Sequence, residues 1–160
     1  DAHMDKAGVV PFLPGGRVYV MRPRGDRPEL GAPPFQLCKG TRMIRQGGIW
    51  RDLRKSEGAD AGSEALATTA LREGEEELGL RLDNIREWFD LGTQAFASAS
   101  TGKPKWLRLF AAHMRDADAF SAPAPTTAEC RWLDQQECEQ LVRPDHYALV
   151  KLAAERLARR

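Results

Sequence analysis

Segment 63–78 constrains the fold more than any other part of the chain. It reads SEALATTALREGEEEL, so Ala, Leu and Glu, which favour helices, dominate its interior. Ser63 is a residue type that caps helix N-termini, and Gly79 is the type that ends helices with a positive φ. The sequence therefore predicts a helix over 63–78. Its core-facing stripe is predicted to consist of small and apolar residues, namely Ala67, Leu71, Gly74 and Leu78.

Three carboxylates follow one another on this helix at spacings of three and four residues. Glu73, Glu76 and Glu77 fall within an arc of about 100°, which we expect on the flank of the core-facing stripe. Like charges at these spacings repel, and the C-terminal end of a helix disfavours anions. A divalent cation would offset this cost, and carboxylates without neighbouring His or Cys suit Mg²⁺ or Mn²⁺. From charge alone, the alternative is a solvated acidic face.

The rest of the chain predicts strands, turns and two further helices. Strand patterns cover 8–13, 17–21, 35–38, 88–97, 106–114 and 131–133, with turns at 14–16 and 101–104. Helical patterns cover 135–141 and 146–158, while 41–62 is polar and predicts a long excursion. The sequence therefore predicts a mixed sheet with a few helices, a fold of the α/β or α+β class.

The chain has 160 residues, the length of one domain, and we expect a single domain over 5–160. Residues 1–4 are expected to be a disordered or cloning-derived N-terminus, in which Met4 is a candidate native start and residues 1–3 are left over from cloning. No apolar run is long enough to cross a membrane, and the N-terminus lacks a secretory pattern. Three cysteines, an odd number without metal-site spacing, predict reduced thiols in a cytoplasm.

Charge is unevenly distributed, although the net charge is only +1. Residues 17–55 contain ten Lys and Arg against three Asp and Glu, whereas 57–90 contain ten acidic residues against three Arg. Complementary surfaces within the fold are one explanation. The functional explanation is a site that holds both phosphates and a metal cation.

The spacing over 58–80 resembles the signature of the Nudix hydrolases, G-x5-E-x7-R-E-U-x-E-E-x-G-U, in which U is apolar. The matching residues are Gly58, Glu64, Arg72, Glu73, Glu76, Glu77, Gly79 and Leu80. Gly74 departs from the pattern where a bulky apolar residue is usual, which suggests either close contact between helix and sheet or a local void. The first glycine of the family's motif usually ends a strand. Gly40 is therefore an alternative to Gly58, with 41–57 inserted.

The resemblance implies a mixed β-sheet sandwiched between helices and a metal-dependent hydrolase. Its substrate would be a nucleoside diphosphate linked to another moiety X, cleaved by attack of water at phosphorus. Motif positions imply that Glu73, Glu76 and Glu77 bind Mg²⁺ or Mn²⁺, and that Gly40 or Gly58 lends a backbone carbonyl. The general base varies within the family, and Glu73 is one candidate.

The resemblance also assigns a structural role to two further motif residues. Glu64 and Arg72 are implied to form an ion pair that holds the helix and its preceding loop in place.

We expect no membrane partner and no stable nucleic-acid partner, and a homodimer is possible.

The basic segment supplies candidate ligands for the phosphates, namely Arg22, Arg24, Lys39 and Arg42. Solvated surface cations are the alternative for each. Lys39 is favoured because it adjoins Gly40, and this Lys-Gly pair resembles that of dinucleoside polyphosphate and diphosphoinositol polyphosphate hydrolases. That resemblance suggests a substrate with several phosphates. Four aromatic residues could stack on a base, although aromatics are more often core: Phe35, Trp50, Phe96 and Trp106.

Two alternatives to a hydrolase remain open. One is a Nudix-fold module that senses a nucleotide or a partner without turnover, and the other is an acidic-helix scaffold. The intact set of three carboxylates argues against a pure sensor. Cys38 has no neighbouring His in the sequence, so a nucleophilic role is not expected.

Overall fold

The computed structural model describes residues 4–25, 29, 31, 33–54, 57–60, 62–98 and 101–158. Within them the strands are β1 Lys6–Phe12, β2 Val18–Pro23, β3 Cys38–Thr41, β4 Met43–Gln46, β5 Ile49–Asp52, β6 Ile85–Ala97, β7 Pro104–Met114 and β8 Thr127–Leu133. The helices are α1 Leu66–Leu78, α2 Gln135–Leu141 and α3 Pro144–Ala158. Residues 1–3 of the expected N-terminal tail lie outside the described residues.

The main sheet is mixed and lies between two helical layers. Its strand order is β6-β7-β1-β2-β8, with β3 also paired to β1. Strands β1 and β7 run parallel, whereas the other pairs are antiparallel. Helices α2 and α3 contribute to a core cluster on one face of the sheet, and α1 contributes to a second cluster on the other face. The predicted mixed sheet sandwiched between helices is confirmed. No described helix is both long and apolar enough to cross a membrane.

The predicted excursion over 41–62 contains a hairpin of β4 and β5 outside the main sheet. Its two ends are closed by backbone hydrogen bonds, from Glu64 N to Met43 O at 2.7 Å and from Arg45 N to Gly62 O at 2.8 Å. The chain therefore leaves the sheet after β3 and returns beside it. As a result, α1 begins close to the strand from which the excursion departed.

Helix α1 begins at Leu66, three residues later than predicted. Its N-cap is Ala65, which makes no side-chain capping bond, so the prediction that Ser63 caps the helix is wrong. Ser63 instead pairs with Ile44 of β4, and its Oγ accepts a hydrogen bond from Asp60 N at 2.9 Å. The hairpin thus holds Ser63 in extended backbone. Gly79 ends the helix with φ of 70°, as predicted.

The helix is rotated relative to the predicted stripe. Ala67 is exposed, and the buried face consists of Leu66, Thr69, Ala70, Gly74 and Leu78. Both Glu73 and Glu77 lie within about 60° of Ala70 around the helix axis. The prediction that these two carboxylates lie on the flank is therefore wrong, because they share the face that packs against the sheet.

Gly74 marks a close contact between the helix and the sheet. A Cβ at this position would lie 2.8 Å from Leu80 Cδ2 and 3.2 Å from Val9 Cγ1. Of the two explanations that the sequence left open for Gly74, the structure supports close packing and not a void.

Candidate active site

Gly40 of β3 lies directly against Glu73 of α1. A Cβ at position 40 would overlap the Glu73 carboxyl group, so only glycine leaves this carboxylate its place. Gly58, by contrast, is exposed within the excursion. Of the two glycines that the sequence left open, Gly40 is therefore the one beside the carboxylate helix.

Arg72 joins the start of α1, its carboxylates and the end of β3. Its Nε donates to Glu64 Oε2 at 2.9 Å, and its Nη2 donates to Glu64 Oε1 at 3.0 Å. Its Nη1 donates to Glu73 Oε1 at 2.8 Å, and Nη2 also donates to Thr41 O at 2.9 Å. The ion pair between Glu64 and Arg72 is formed, and it fixes one oxygen of Glu73 at the same time.

Glu64 is only 8% exposed, yet its carboxylate is well satisfied. Thr69 Oγ1 donates to Glu64 Oε1 at 2.8 Å, and Met43 N donates to the same oxygen at 3.2 Å. Burial raises the pKa of Glu64, but the hydrogen bonds from Arg72 and Thr69 outweigh it and leave the pKa below its usual value. Glu64 therefore stays ionised and ties the closed base of the hairpin to α1.

Glu77 is the opposite case, a buried carboxylate without adequate partners. Its Oε1 is buried and has no hydrogen-bond partner. Burial, followed by the neighbouring Glu73 carboxylate, raises the pKa of Glu77 to about 8, and the Cys38 thiol and the Lys39 backbone N–H only partly offset this. Two carboxylates in contact do not both ionise readily without a cation. The described residues thus supply too little positive charge for both carboxylates to ionise, and in this sense the pair of Glu73 and Glu77 is incomplete.

Glu76 is not part of this pair. Its side chain is 54% exposed, and its Oε1 lies 3.6 Å from Arg72 Nη1. Among the described residues, no group of three or more His, Cys, Asp and Glu side chains is arranged to hold a metal ion. The structure thus brings Glu73 and Glu77 together, while the more exposed Glu76 approaches the same nitrogen of Arg72 that binds Glu73. Their roles as metal ligands stay predictions.

The three predicted substrate-binding arginines all contact other parts of the protein. Arg22 pairs with Glu129 at 3.0 Å across β2 and β8. Arg24 donates to a backbone carbonyl in the loop before β8, and Arg42 donates to Glu64 O at 2.6 Å. These contacts give each arginine a structural function, and their roles toward a substrate stay predictions.

Lys39, the fourth predicted cation, lies among basic residues that sequence reasoning missed. Burial, followed by the charges of Lys6, Arg143 and Lys105, lowers the pKa of Lys39. The only signal in the sequence was strand alternation, since Lys105 precedes the buried Leu107 by two positions.

Cys38 is fully buried beneath α1, beside the Glu77 carboxylate. Burial, followed by the negative charges of Glu77 and Glu73, raises the pKa of its thiol well above the usual value. The thiol is therefore protonated at neutral pH, which disfavours both nucleophilic attack and metal ligation by sulfur.

The candidate stacking residues are dispersed over the fold. Phe35 is 4% exposed and belongs to the core beneath α2 and α3, whereas Trp50 and Trp106 are 49% and 52% exposed. Phe96 is half-buried, and its ring centroid lies 5.8 Å from that of His146 in an edge-on arrangement. The structure therefore does not gather these residues into one stacking site.

No protein-family model and no curated protein sequence matches the chain. Solved structures do match it. The Nudix domain of Shewanella oneidensis NrtR, complexed with ADP ribose, is 17% identical with a TM-score of 0.65, covering 98% of this chain and 90% of that one. NrtR has also been crystallised with a 27mer DNA, and the match covers 62% of that chain.

Two enzymes of the same fold are also similar. A Caenorhabditis elegans Ap4A hydrolase is 15% identical with a TM-score of 0.62, and the match covers 97% of this chain and 98% of that one. The Escherichia coli dihydroneopterin triphosphate pyrophosphohydrolase is 15% identical with a TM-score of 0.59, and the match covers 92% of both chains. The chain therefore has the Nudix fold, which confirms the resemblance at the level of the fold.

Proposed function

We propose that this Nudix-fold protein is a metal-dependent pyrophosphohydrolase acting on a nucleoside diphosphate linked to a further moiety X. Water attacks a phosphorus of the diphosphate, a new P–O bond forms, and the bond to the leaving phosphate oxygen breaks. The nucleophile loses a proton to a base, for which Glu73 is one candidate. The observation that carries the proposal is the incomplete pair of Glu73 and Glu77.

A divalent cation would satisfy this pair of carboxylates better than the hydrogen-bond donors and cations of the described residues do. Glu77 has a buried oxygen without a partner, and the adjacent Glu73 carboxylate is held in place by Arg72. Glycine at position 40 leaves the space that this carboxylate occupies. An unsatisfied buried acceptor costs about 1–3 kcal/mol, and a second carboxylate adds to that cost. A cation would remove both penalties.

Oxygen donors and a protonated thiol favour Mg²⁺ or Mn²⁺ over zinc. We assign the cation to Glu73 and Glu77, with Glu76 and the Gly40 carbonyl as further ligands. When bound, the cation would offset the charge of the diphosphate and lower the pKa of the attacking water.

The chain's own residues position this chemistry. Arg72 holds Glu73 through Nη1, and its remaining donors fix Glu64 and the end of β3. Because Glu64 also binds the start of β4, the loop and the helix are kept in one geometry. Lys39, which precedes Gly40, would bind a phosphate oxygen as a point charge.

A turnover screen with Mg²⁺ and Mn²⁺ tests the proposal. It would cover nucleoside triphosphates, dinucleoside polyphosphates, nucleotide sugars, ADP-ribose and NADH. We expect cleavage of at least one of them, and a loss of several orders of magnitude in Glu77→Gln. Glu75→Gln is the matched control, since Glu75 is exposed on the same helix. Turnover that survives in Glu77→Gln would place the activity elsewhere.

A nucleotide-sensing module is the second candidate function. It is favoured by the exposure of Glu76, which is not buried with the other two carboxylates, and by the match to a Nudix domain complexed with ADP ribose. Calorimetry would distinguish the two functions. Tight binding of a nucleotide with no turnover under either metal would favour the sensor.

The three cysteines are free, which suits the cytoplasmic location that we expect for either function.

A further inference from the structure

Two of the carboxylates assigned to the cation lie in the last turn of α1. The last four carbonyls of a helix have no partner within it, and helix ends open readily. The chain just after the helix satisfies the carbonyls of Gly74 and Glu75, with bonds of 3.0 and 3.1 Å from its first two N–H groups. The carbonyls of Glu76 and Glu77 therefore need partners from another part of the chain.

The loop between β7 and β8, together with the start of β8, supplies these partners. Ala124 N donates to Glu76 O at 2.7 Å. Thr127 Oγ1 donates to Glu77 O at 2.8 Å, and Cys130 Sγ lies 3.5 Å from the same oxygen. The end of α1 is therefore bonded to a different element at each of the two glutamates.

The loop 115–126 is itself held at both ends. Near its start, the buried Asn84 donates from Nδ2 to two backbone carbonyls of the loop at 2.9 Å, and Trp132 Nε1 donates to a third at 2.9 Å. Near its end, Arg24 N donates to Thr126 O at 3.0 Å. Because the loop is anchored in this way, it and the start of β8 form a fixed support for the end of α1.

The hydroxyl of Thr127 is the side-chain donor in this support. Thr127 is only 5% exposed. Its backbone N–H donates to Ala124 O at 3.0 Å, and in the register of β2 with β8 it lies opposite Pro23. The backbone of Thr127 is thus paired without help from the hydroxyl, which is free to bind Glu77 O. Valine would fill the same space and suit a strand, but it would lose this bond.

We propose that Thr127 is a positioning residue for the carboxylate site, because its hydroxyl holds the Glu77 backbone and so keeps the Glu77 carboxylate beside Glu73. This inference rests on the proposed function and adds to it a residue outside the motif over 58–80. Repulsion among the carboxylates and the C-terminal end of the helix dipole both favour opening of the last turn. The bond from Thr127 opposes that opening, which would carry Glu77 away from Glu73.

Calorimetric titration of the full chain with Mn²⁺ tests this role. We expect Thr127→Val to weaken binding about tenfold, equivalent to about 1.4 kcal/mol, and Thr127→Ser, which keeps the hydroxyl, to bind nearly as the wild type does. Thr126→Val is the matched control, since Thr126 is the exposed neighbour, and it should bind as the wild type does.

The titration is made without urea, at a temperature where denaturation curves show every variant to be fully folded. A residue that contributed only to stability would leave the Mn²⁺ affinity of the folded protein unchanged. Equal affinity of Thr127→Val and the wild type would therefore overturn the inference, and so would a Thr127→Ser variant as weak as Thr127→Val.

Kinetics separate failure of this inference from failure of the proposed function. With Mg²⁺ in excess and a substrate found in the turnover screen, we expect Thr127→Val to lower kcat about tenfold and to change KM far less. A wild type that binds neither cation would reject the proposed function and this inference with it. Binding and turnover that are both unchanged in Thr127→Val would reject the inference while the hydrolase stands. Mn²⁺ binding that depends on Thr127, without any turnover, would support the inference and reject the hydrolase.

Discussion

Replacing Glu77 by Gln is expected to stabilise the metal-free protein at neutral pH, although we also expect it to abolish the proposed turnover. The pKa of Glu77 is raised from 4.5 to about 8. The folded protein therefore keeps a proton that the unfolded chain releases, and the free energy of unfolding falls as pH rises through this window. At about 1.4 kcal/mol per pKa unit, the loss reaches at most about 3 kcal/mol at pH 7 and about 5 kcal/mol above pH 8. Gln has the same shape and cannot ionise.

Urea denaturation in the presence of a chelator, at pH values from about 5 to about 8, measures this effect. The stability advantage of Glu77→Gln over the wild type should grow by up to about 3 kcal/mol between pH 5 and pH 7. With an m-value of about 2 kcal/mol/M, this is a midpoint shift of about 1.5 M urea. Glu75→Gln, on the exposed side of the same helix, should show no such trend.

Adding Mg²⁺ provides an independent check on the same variant. A cation that binds only the folded protein stabilises it by mass action, so the wild type should gain more than Glu77→Gln. An advantage of Glu77→Gln that does not change with pH would refute the reasoning. So would a variant that is less stable than the wild type at pH 7 without metal.

Three further predictions follow from the contacts around the site. Arg72→Ala should lower the free energy of unfolding by about 3 kcal/mol and turnover more than a hundredfold, because it leaves the buried Glu64 carboxylate without its counter-ion. Glu64→Gln should lower turnover less, and full activity of Arg72→Ala at unchanged stability would contradict the role of the ion pair. Gly40→Ala should weaken Mg²⁺ binding in calorimetry, because its Cβ would displace Glu73; unchanged affinity would separate Gly40 from the site. Burial, followed by the charge of the arginine just before α3, lowers the pKa of His146 to about 3, so the stability contributed by the neutral imidazole is lost as pH falls below about 6.5. In urea denaturation, the free energy of unfolding of His146→Gln should be about 2 kcal/mol closer to that of the wild type at pH 5 than at pH 7. A difference that stays constant with pH would exclude a neutral His146.

Several features were predictable because they depend on local sequence. Gly79 ends α1 because it adopts positive φ without a Cβ clash. The helix predicted over 146–158 is also present, although it begins two residues earlier, at Pro144, whose fixed φ suits the first helical position. The ion pair between Glu64 and Arg72 was implied by the resemblance to the Nudix motif, and it forms between the residue that precedes α1 by two positions and the middle of that helix. Strand patterns located the sheet for the same reason, since alternation of apolar side chains requires no knowledge of the partner strand.

Only the tertiary structure decided which face of α1 is buried. Stripes beginning at Leu66 and at Ala67 are both apolar enough to pack, and they differ by about 100° around the helix. Contact with β1 and β3 selects the first stripe, which turns Glu73 and Glu77 inward and leaves Glu76 54% exposed. The three glutamates are equivalent in the sequence, but their burial depends on where the helix lies on the sheet.

Tertiary structure also decided between the two glycines and brought basic residues of other elements near Lys39. Met43 and Glu64 are hydrogen-bonded at the base of the hairpin, which brings the two ends of the excursion together. Gly40 and Glu73 are therefore in direct contact although they are far apart in the sequence. Lys6, Lys39 and Lys105 come from three strands whose register no local pattern specifies. Sequence spacing determines contacts within one element. Contacts between elements depend on strand register and helix rotation, which are set by packing of the whole core.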